Sequence, residues 1–418
     1  MFQKMLKRLL SLCFLSLLLS LNADLLIAAD CKLNSPQDVV DCALSNHPDA
    51  QRAALTSQQA EEFESLASQR PNPELSGRSV FGKSLGDYIL NHEMSLAHTL
   101  ELGGKRGSRI DKALAEKDSV VASSLRSKEE ALLETIRGLF RIRQLKDELL
   151  TLEEALETFS RIQKQFRSRL RRTPEQVVSL GVFDLAAGDY QLRKASLESE
   201  LSNRIREIEL SIGRDFQPSE KLLPLKKKNW PEMNDKIPVT SFNGSTMGLA
   251  RAGLKLAEAD LSVAQSLSWP NVKVGPTFES QTTGSLTNQA IGVNFSFELP
   301  LFQMNGGGRA VAQRGLDLAQ RSLSLREQEV VNQRKALLTK YSNAVKALEA
   351  SLSHHDLDKK HQNADALFAR GIIPSSLVIE AHRQLVDFTK NQNEQELSAL
   401  ESLWGLYILE GRAFGEKL

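Results

Sequence analysis

The one ligand-like cluster in the sequence is SHHDLDKKH, where His354, Asp358 and His361 stand at i, i+4 and i+7. That spacing sets two imidazoles and a carboxylate on one side of a helix, a donor set that suits a divalent cation. The same spacing describes an ordinary solvated helix face, and the residues alone leave both readings open. The sequence contains no zinc-protease helix motif, phosphate-binding glycine loop, dinucleotide fingerprint or paired CxxC, so neither an enzyme nor a resident cofactor is expected. With 53 Lys and Arg against 52 Asp and Glu, no bulk field draws the chain to nucleic acid.

The cluster belongs to the second of two very long helix patterns. Between Pro73 and Pro174 there is no proline, and Leu132, Ile136, Leu139, Ile142, Leu145 and Leu149 begin an apolar stripe that continues at the same steps to Phe166. A stripe with steps of three or four lies along one side of a helix. It predicts a helix over 105–170, roughly 100 Å long at about 1.5 Å per residue. A second proline-free span, from Pro300 to Pro374, predicts a helix over 309–369, roughly 90 Å long by the same rise.

Two strand-like segments precede each long helix, over 73–102 and 270–302. In the first pair Leu90, Met94, Leu96 and Leu100 share one face while Asn91, Glu93, Ser95 and Thr99 take the other. In the second, Ile291, Val293, Phe295 and Phe297 alternate with Gly292, Asn294 and Ser296. Period two marks strands with one apolar face, and the polar, glycine-containing tips GKSLGD and QTTGSLTNQ mark hairpins. Helices over 36–70 come first, and return helices are expected at 182–213 and 375–412. The chain therefore reads as an internal duplication, with repeats at 30–216 and 246–418 joined by a Pro- and Lys-rich linker at 217–245. The joins LELGGKRGSRI and LFQMNGGGRAVAQ occupy matching places. Gly103, Gly104, Gly306 and Gly307 are expected there as hinges, because glycine takes backbone conformations that other residues avoid.

Residues 1–29 read as an export signal, with Lys4, Lys7 and Arg8 ahead of an apolar run and small residues Ala28 and Ala29 after it. Beyond it no apolar segment approaches the roughly 20 residues of a spanning helix, so any membrane entry is by strands. Cys31 and Cys42 follow the leader; a disulfide in an oxidising compartment and two free thiols both fit. Four strands do not close a barrel, since small membrane barrels use about eight. Three chains would supply twelve, and closure removes the open edges that lipid does not tolerate.

From SPQDVVDCALSNHPDAQ to LEGRAFG the chain resembles the TolC-type outer-membrane factor family. LELGGKRGSRI is similar to the strand-to-helix join of its heavy-metal efflux branch, and GVFDLAAGDYQLRKA and GIIPSSLVIEAHRQL resemble its two helix-hairpin tips. The resemblance implies a mostly α fold with a membrane β-barrel contribution. It implies a homotrimeric channel-tunnel whose twelve-stranded barrel, four strands per chain, sits in outer-membrane lipid above a periplasmic α-helical barrel. The implied role is the exit duct of a tripartite efflux system, passively conducting small solutes, with metal cations favoured. The implied partners are a periplasmic membrane-fusion adaptor and an inner-membrane RND-type pump. An ABC transporter is the alternative pump, with the chain then serving type I protein secretion or drug efflux; a soluble periplasmic coiled-coil adaptor is the alternative of another class. Residue by residue, the resemblance implies adaptor docking at Gly181, Val182 and Phe183 and at Gly371, Ile372 and Ile373. It implies a periplasmic gate at Asp184 and Asp189, with Arg370 and Glu380 forming closing ion pairs.

Overall fold

A computed structural model describes residues 31–418 apart from 85, 235–236, 239–240, 353–358, 360–361, 364 and 369. The expected leader at 1–29 and the cluster of His354, Asp358 and His361 lie outside the described residues.

The first half begins with α1 (Pro36–Asn46), whose Ser35 and Asp38 form a reciprocal capping box ahead of Pro36. It continues through α2 (Pro48–Glu61) and α3 (Phe63–Ser68) into strands β1 (Glu74–Ser84) and β2 (Asp87–Glu101). Helices α4 (Lys105–Arg167) and α5 (Pro174–Ile212) complete it. The second half runs α6 (Ser245–Ser266), β3 (Asn271–Thr283), β4 (Leu286–Phe297), α7 (Gly306–Ala350) and α8 (Ser375–Glu410).

Helix α4 has 63 residues and is about 95 Å long. Its stripe is the side that other elements cover: Ile136, Leu139, Ile142, Leu145, Leu152 and Phe159 are buried. One core gathers Val39 and Val40 of α1, Leu139 of α4, Ile212 of α5, Tyr341 of α7 and Leu403 of α8. The segment between α5 and α6 packs Leu223 into that core and wraps its side. A separate core of Phe159, Phe183, Tyr190 and Val378 holds the far end of the helices together.

Two helix boundaries differ from the sequence reading. Helix α5 starts at Pro174, ahead of Gly181, because Thr173 and Gln176 form a capping box and Pro174 occupies the first turn. The second long helix is not continuous over 309–369: α7 ends at Ala350, where Ser351 turns extended. The Ser351 hydroxyl and N–H both donate to the Leu348 carbonyl, the local competition by which serine ends helices.

The start of α6 is fixed by a buried acid on α4. Ser245 donates its N–H to Glu129 at 3.2 Å and its hydroxyl to the same carboxylate, so an orphan N–H of α6 finds an acceptor. Burial pushes the Glu129 carboxyl above its ordinary 4.5, and the Ser245 hydrogen bonds oppose this without cancelling it. The native state thus holds that proton more tightly than the unfolded chain. Its contribution to stability is complete below about pH 4.5 and is lost as pH rises through the raised native value. Thermal melts of Glu129→Gln are expected to show a flatter decline in stability as pH rises above the ordinary 4.5; a slope equal to the parent's would contradict this.

Candidate functional site

The four strands form one antiparallel sheet in the order β1-β2-β3-β4, so the β2–β3 pairing joins the two halves. The register sets Leu75 opposite Leu96 and Phe81 opposite Leu90. It sets Met94 opposite Phe278, and Phe278 in turn opposite Ile291. One face is therefore apolar across all four strands. Among the described residues nothing covers it: Phe81 is 77% exposed and Ile291 84%. The opposite face is polar: Lys273 donates to Glu74 at 2.6 Å, Asn91 donates to Glu279 at 3.3 Å, and Glu93 stands directly opposite Glu279. Among the described residues β1 and β4 each have one neighbour, so both edges are open.

The join from β2 to α4 bends at Gly103 and Gly104, whose φ values are +70° and +74°. A Cβ on Gly103 would come within 2.4 Å of the Trp269 ring, while one on Gly104 would meet open space. Arg106 and Arg109 reach back to the end of α3, donating to the carbonyls of Ser68 at 2.7 Å and Gln69 at 3.2 Å. These carbonyls lack helical partners, and cationic donors complement them. Arg109 also pairs with Glu101 at the end of β2, so strand, short helix and long helix share one guanidinium. Lys105 donates to Asn271 at 2.6 Å.

The second join is built differently. Gly306 and Gly307 lie inside the first turn of α7 with no positive φ, and the bend is made by Asn305 at φ 52°. Asparagine tolerates that region because its short side chain bonds locally; here Asn305 donates to the Ala264 carbonyl at 2.8 Å.

At the far end the turn between α4 and α5 falls at 168–173, so Gly181, Val182 and Phe183 are helical. Phe183 is fully buried against Phe159, with ring centroids 5.5 Å apart. Gly371 does reverse the chain: its φ is +72°, and the N–H groups of Gly371 and Ile372 close on the carbonyls of Phe368 and Leu367. Val182, Ile372 and Leu170 are exposed, and Ile373 packs partly against the tip core. Phe183→Leu is expected to cost about 1–2 kcal/mol in chemical denaturation, and Val182→Ala less than about 0.5 kcal/mol; equal effects would remove the distinction between core and surface.

Asp184 accepts from Gln163 at 2.8 Å and Arg167 at 2.7 Å. Asp189 pairs with Arg193, which also reaches Asp387 on α8, and Arg383 links Asp387 to Glu380. Hydrogen bonds from Arg383 and Gln384 hold Glu380 below the usual carboxylate range. Glu380 is thus bound along its own helix rather than to Arg370, which is exposed beyond the end of the preceding helical segment. Burial pushes the Tyr190 phenol up to about 12 beside this ladder.

A buried polar joint lies nearer the middle of the helices, and the sequence reading did not find it. Glu396 of α8 accepts from Arg143, from Gln144 at 2.9 Å and from the Lys227 N–H at 3.1 Å. Glu148 accepts from Arg141 at 2.8 Å and Asn393 at 3.0 Å. The available signal was the recurrence of Gln144 and Glu148 at i and i+4 beside the apolar stripe. Among the described residues no group of three or more His, Cys, Asp or Glu is placed to hold a metal ion.

An amphipathic sheet with open edges, continued by very long paired helices, defines the fold of outer-membrane channels. The solved channels similar to this chain include MtrE of Neisseria gonorrhoeae in its open state, at 15% identity and TM-score 0.71, covering 91% of this chain and 89% of that one. CmeC of Campylobacter jejuni matches at 15% identity and TM-score 0.69 over 90% and 85% of the two chains, and VceC of Vibrio cholerae at 13% and 0.68 over 91% and 99%. No protein-family model matches the chain, and no curated protein matches it either.

Proposed function

We propose that three copies of this chain close a twelve-stranded barrel in the outer membrane and form the passive exit duct of an efflux system. The observation that carries this is the four-stranded sheet with one uncovered apolar face, one polar face and two open edges. Lipid covers an apolar face of this kind, and neighbouring strands must complete the edges because hydrocarbon offers no hydrogen bonds. The helices then stand below the barrel as a tunnel wall in the periplasm. The exposed Val182, Ile372 and Leu170 offer apolar contacts to a periplasmic adaptor, which connects the duct to an inner-membrane pump. Asp184 is balanced by Arg167, but Asp189, Asp387 and Glu380 stand against only Arg193 and Arg383, and that excess of acid, repeated by threefold symmetry, favours cations near the tunnel end. That preference, with the first join's likeness to the heavy-metal branch, supports metal cations as cargo delivered by an RND-type pump.

Membrane fractionation of the full chain with a heat-modifiable oligomer assay tests the duct; a soluble monomer sinks it. Deletion followed by a panel of metals and drugs tests the cargo. Unchanged sensitivity to every metal removes the metal preference and leaves the duct standing.

A further inference from the structure

Cys31 and Cys42 form a disulfide, with Cα atoms 5.7 Å apart. Cys42 is 2% exposed and sits in the main core beside Val39 and Val40, whereas Cys31 is only partly covered. The bond closes a cluster of contacts on the end of α5. Asn46 donates to the Ile212 carbonyl at 3.0 Å, and Arg214 donates to the Cys31 carbonyl at 2.8 Å. The Ile212 carbonyl is one of the last of α5, where helical partners run out. Beyond Gly213, the helix's left-handed cap, the chain enters the segment that wraps the core. Its residues Glu220, Leu223 and Lys226 face Ser35, Pro36 and Gln37 across a cleft of about 650 Å³.

We propose that Cys31 and Cys42 are the modification site of a thiol–disulfide oxidase, and that the bond it makes is the clasp holding the start of the segment after α5, at Arg214, against α1. The exchange balances without another reactant. The Cys31 thiolate attacks the carrier's disulfide, forming a mixed disulfide and releasing one carrier thiolate; the Cys42 thiolate then attacks the Cys31 Sγ and expels the second. Two electrons and two protons pass to the carrier. Cys31 is the attacking thiol because Cys42 is inaccessible once α1 has docked, so oxidation accompanies docking. The bond also removes Cys31 from any lipid attachment. Farther on, the Lys227 N–H on Glu396 and the Tyr341 hydroxyl on the Pro231 carbonyl hold the segment to α8 and α7, so loss of the bond loosens the part of it nearest α1 while α4 keeps its packing.

The test uses the purified full chain and does not depend on conduction. Intact mass is expected to show the pair two hydrogens short of the dithiol, with no acyl group on Cys31. Trypsin reads the segment at the exposed Lys221, Lys226 and Lys228. Cys31→Ala, chosen because it leaves the buried Cys42 side chain in place, is expected to be cut there at least fivefold faster than the parent, with cleavage in α4 unchanged. Reducing the folded parent with dithiothreitol is expected to give the same acceleration, which keeps the proposal open to refutation should the variant fail to fold. Free thiols in the mature chain, an acylated Cys31, or acceleration below fivefold after verified reduction would each overturn it.

Discussion

Replacing Gly103 and Gly104 together with valine is expected to cost about 4 kcal/mol and to abolish the heat-modifiable oligomer. Two terms add. Each position has a positive φ, which costs a residue with a Cβ about 1–2 kcal/mol and a β-branched one more. At Gly103 the new side chain also collides with the Trp269 ring, and overpacking of this kind adds about 1–3 kcal/mol. Alanine separates the terms: Gly104→Ala bears only the backbone cost, whereas Gly103→Ala bears both, so the two should differ in thermal melts. Normal oligomers in the double valine variant would show that the bend tolerates another path. The consequence for assembly follows from position. Arg109 ties β2, α3 and α4 together beside these glycines, so in the proposed trimer a displaced join changes the angle at which each chain offers its sheet edges to the next.

The parts of the fold legible in the sequence are those with a repeated period. The stripe from Leu132 to Phe166 fixed the buried side of α4, because steps of three or four have no other solution over so many turns. Alternation in β2 and β4 likewise assigned Met94 and Ile291 to one face, as the register shows. Turns were harder because several residue types make them. Gly181 looked like the reversal, but TPEQ carries the stronger signal, a capping box with proline in the first turn. That shift moves Phe183 onto the inner face of α5, where it is buried. The glycines of NGGGRAVAQ hid the bend at Asn305 for a related reason: glycine permits a left-handed conformation without requiring it. The ladder from Asp189 to Glu380 is a tertiary arrangement across α5 and α8, and no local pattern encodes which carboxylate meets which guanidinium.

The buried joint at Glu396 is the extreme case of that illegibility, and it carries the second large effect. Glu396 is 1% exposed, and its partners come from α4 and from the segment wrapping the core. Glu396→Ala is expected to cost about 3–5 kcal/mol, because it strands the Arg143 charge, whose side chain is only 11% exposed. The Nε and Nη1 atoms of Arg143 already lack hydrogen-bond partners, so its remaining carboxylate contact, to Asp147 at 3.9 Å, compensates little. Replacing both charges, as Arg143→Met with Glu396→Leu, is expected to recover most of the loss, since a packed apolar pair substitutes for a buried ion pair at little net cost. A double-mutant cycle in chemical denaturation measures the coupling directly, and a single-variant loss below about 1 kcal/mol would place the pair among weak surface contacts. The Lys227 N–H adds a readout that packing alone would not move. Without its Glu396 acceptor the segment keeps its other ties, among them Lys226 to Gln392 and Tyr341 to the Pro231 carbonyl, but loses a buried one on α8, so proteolysis there should rise in Glu396→Ala and remain raised in the double variant even as global stability returns.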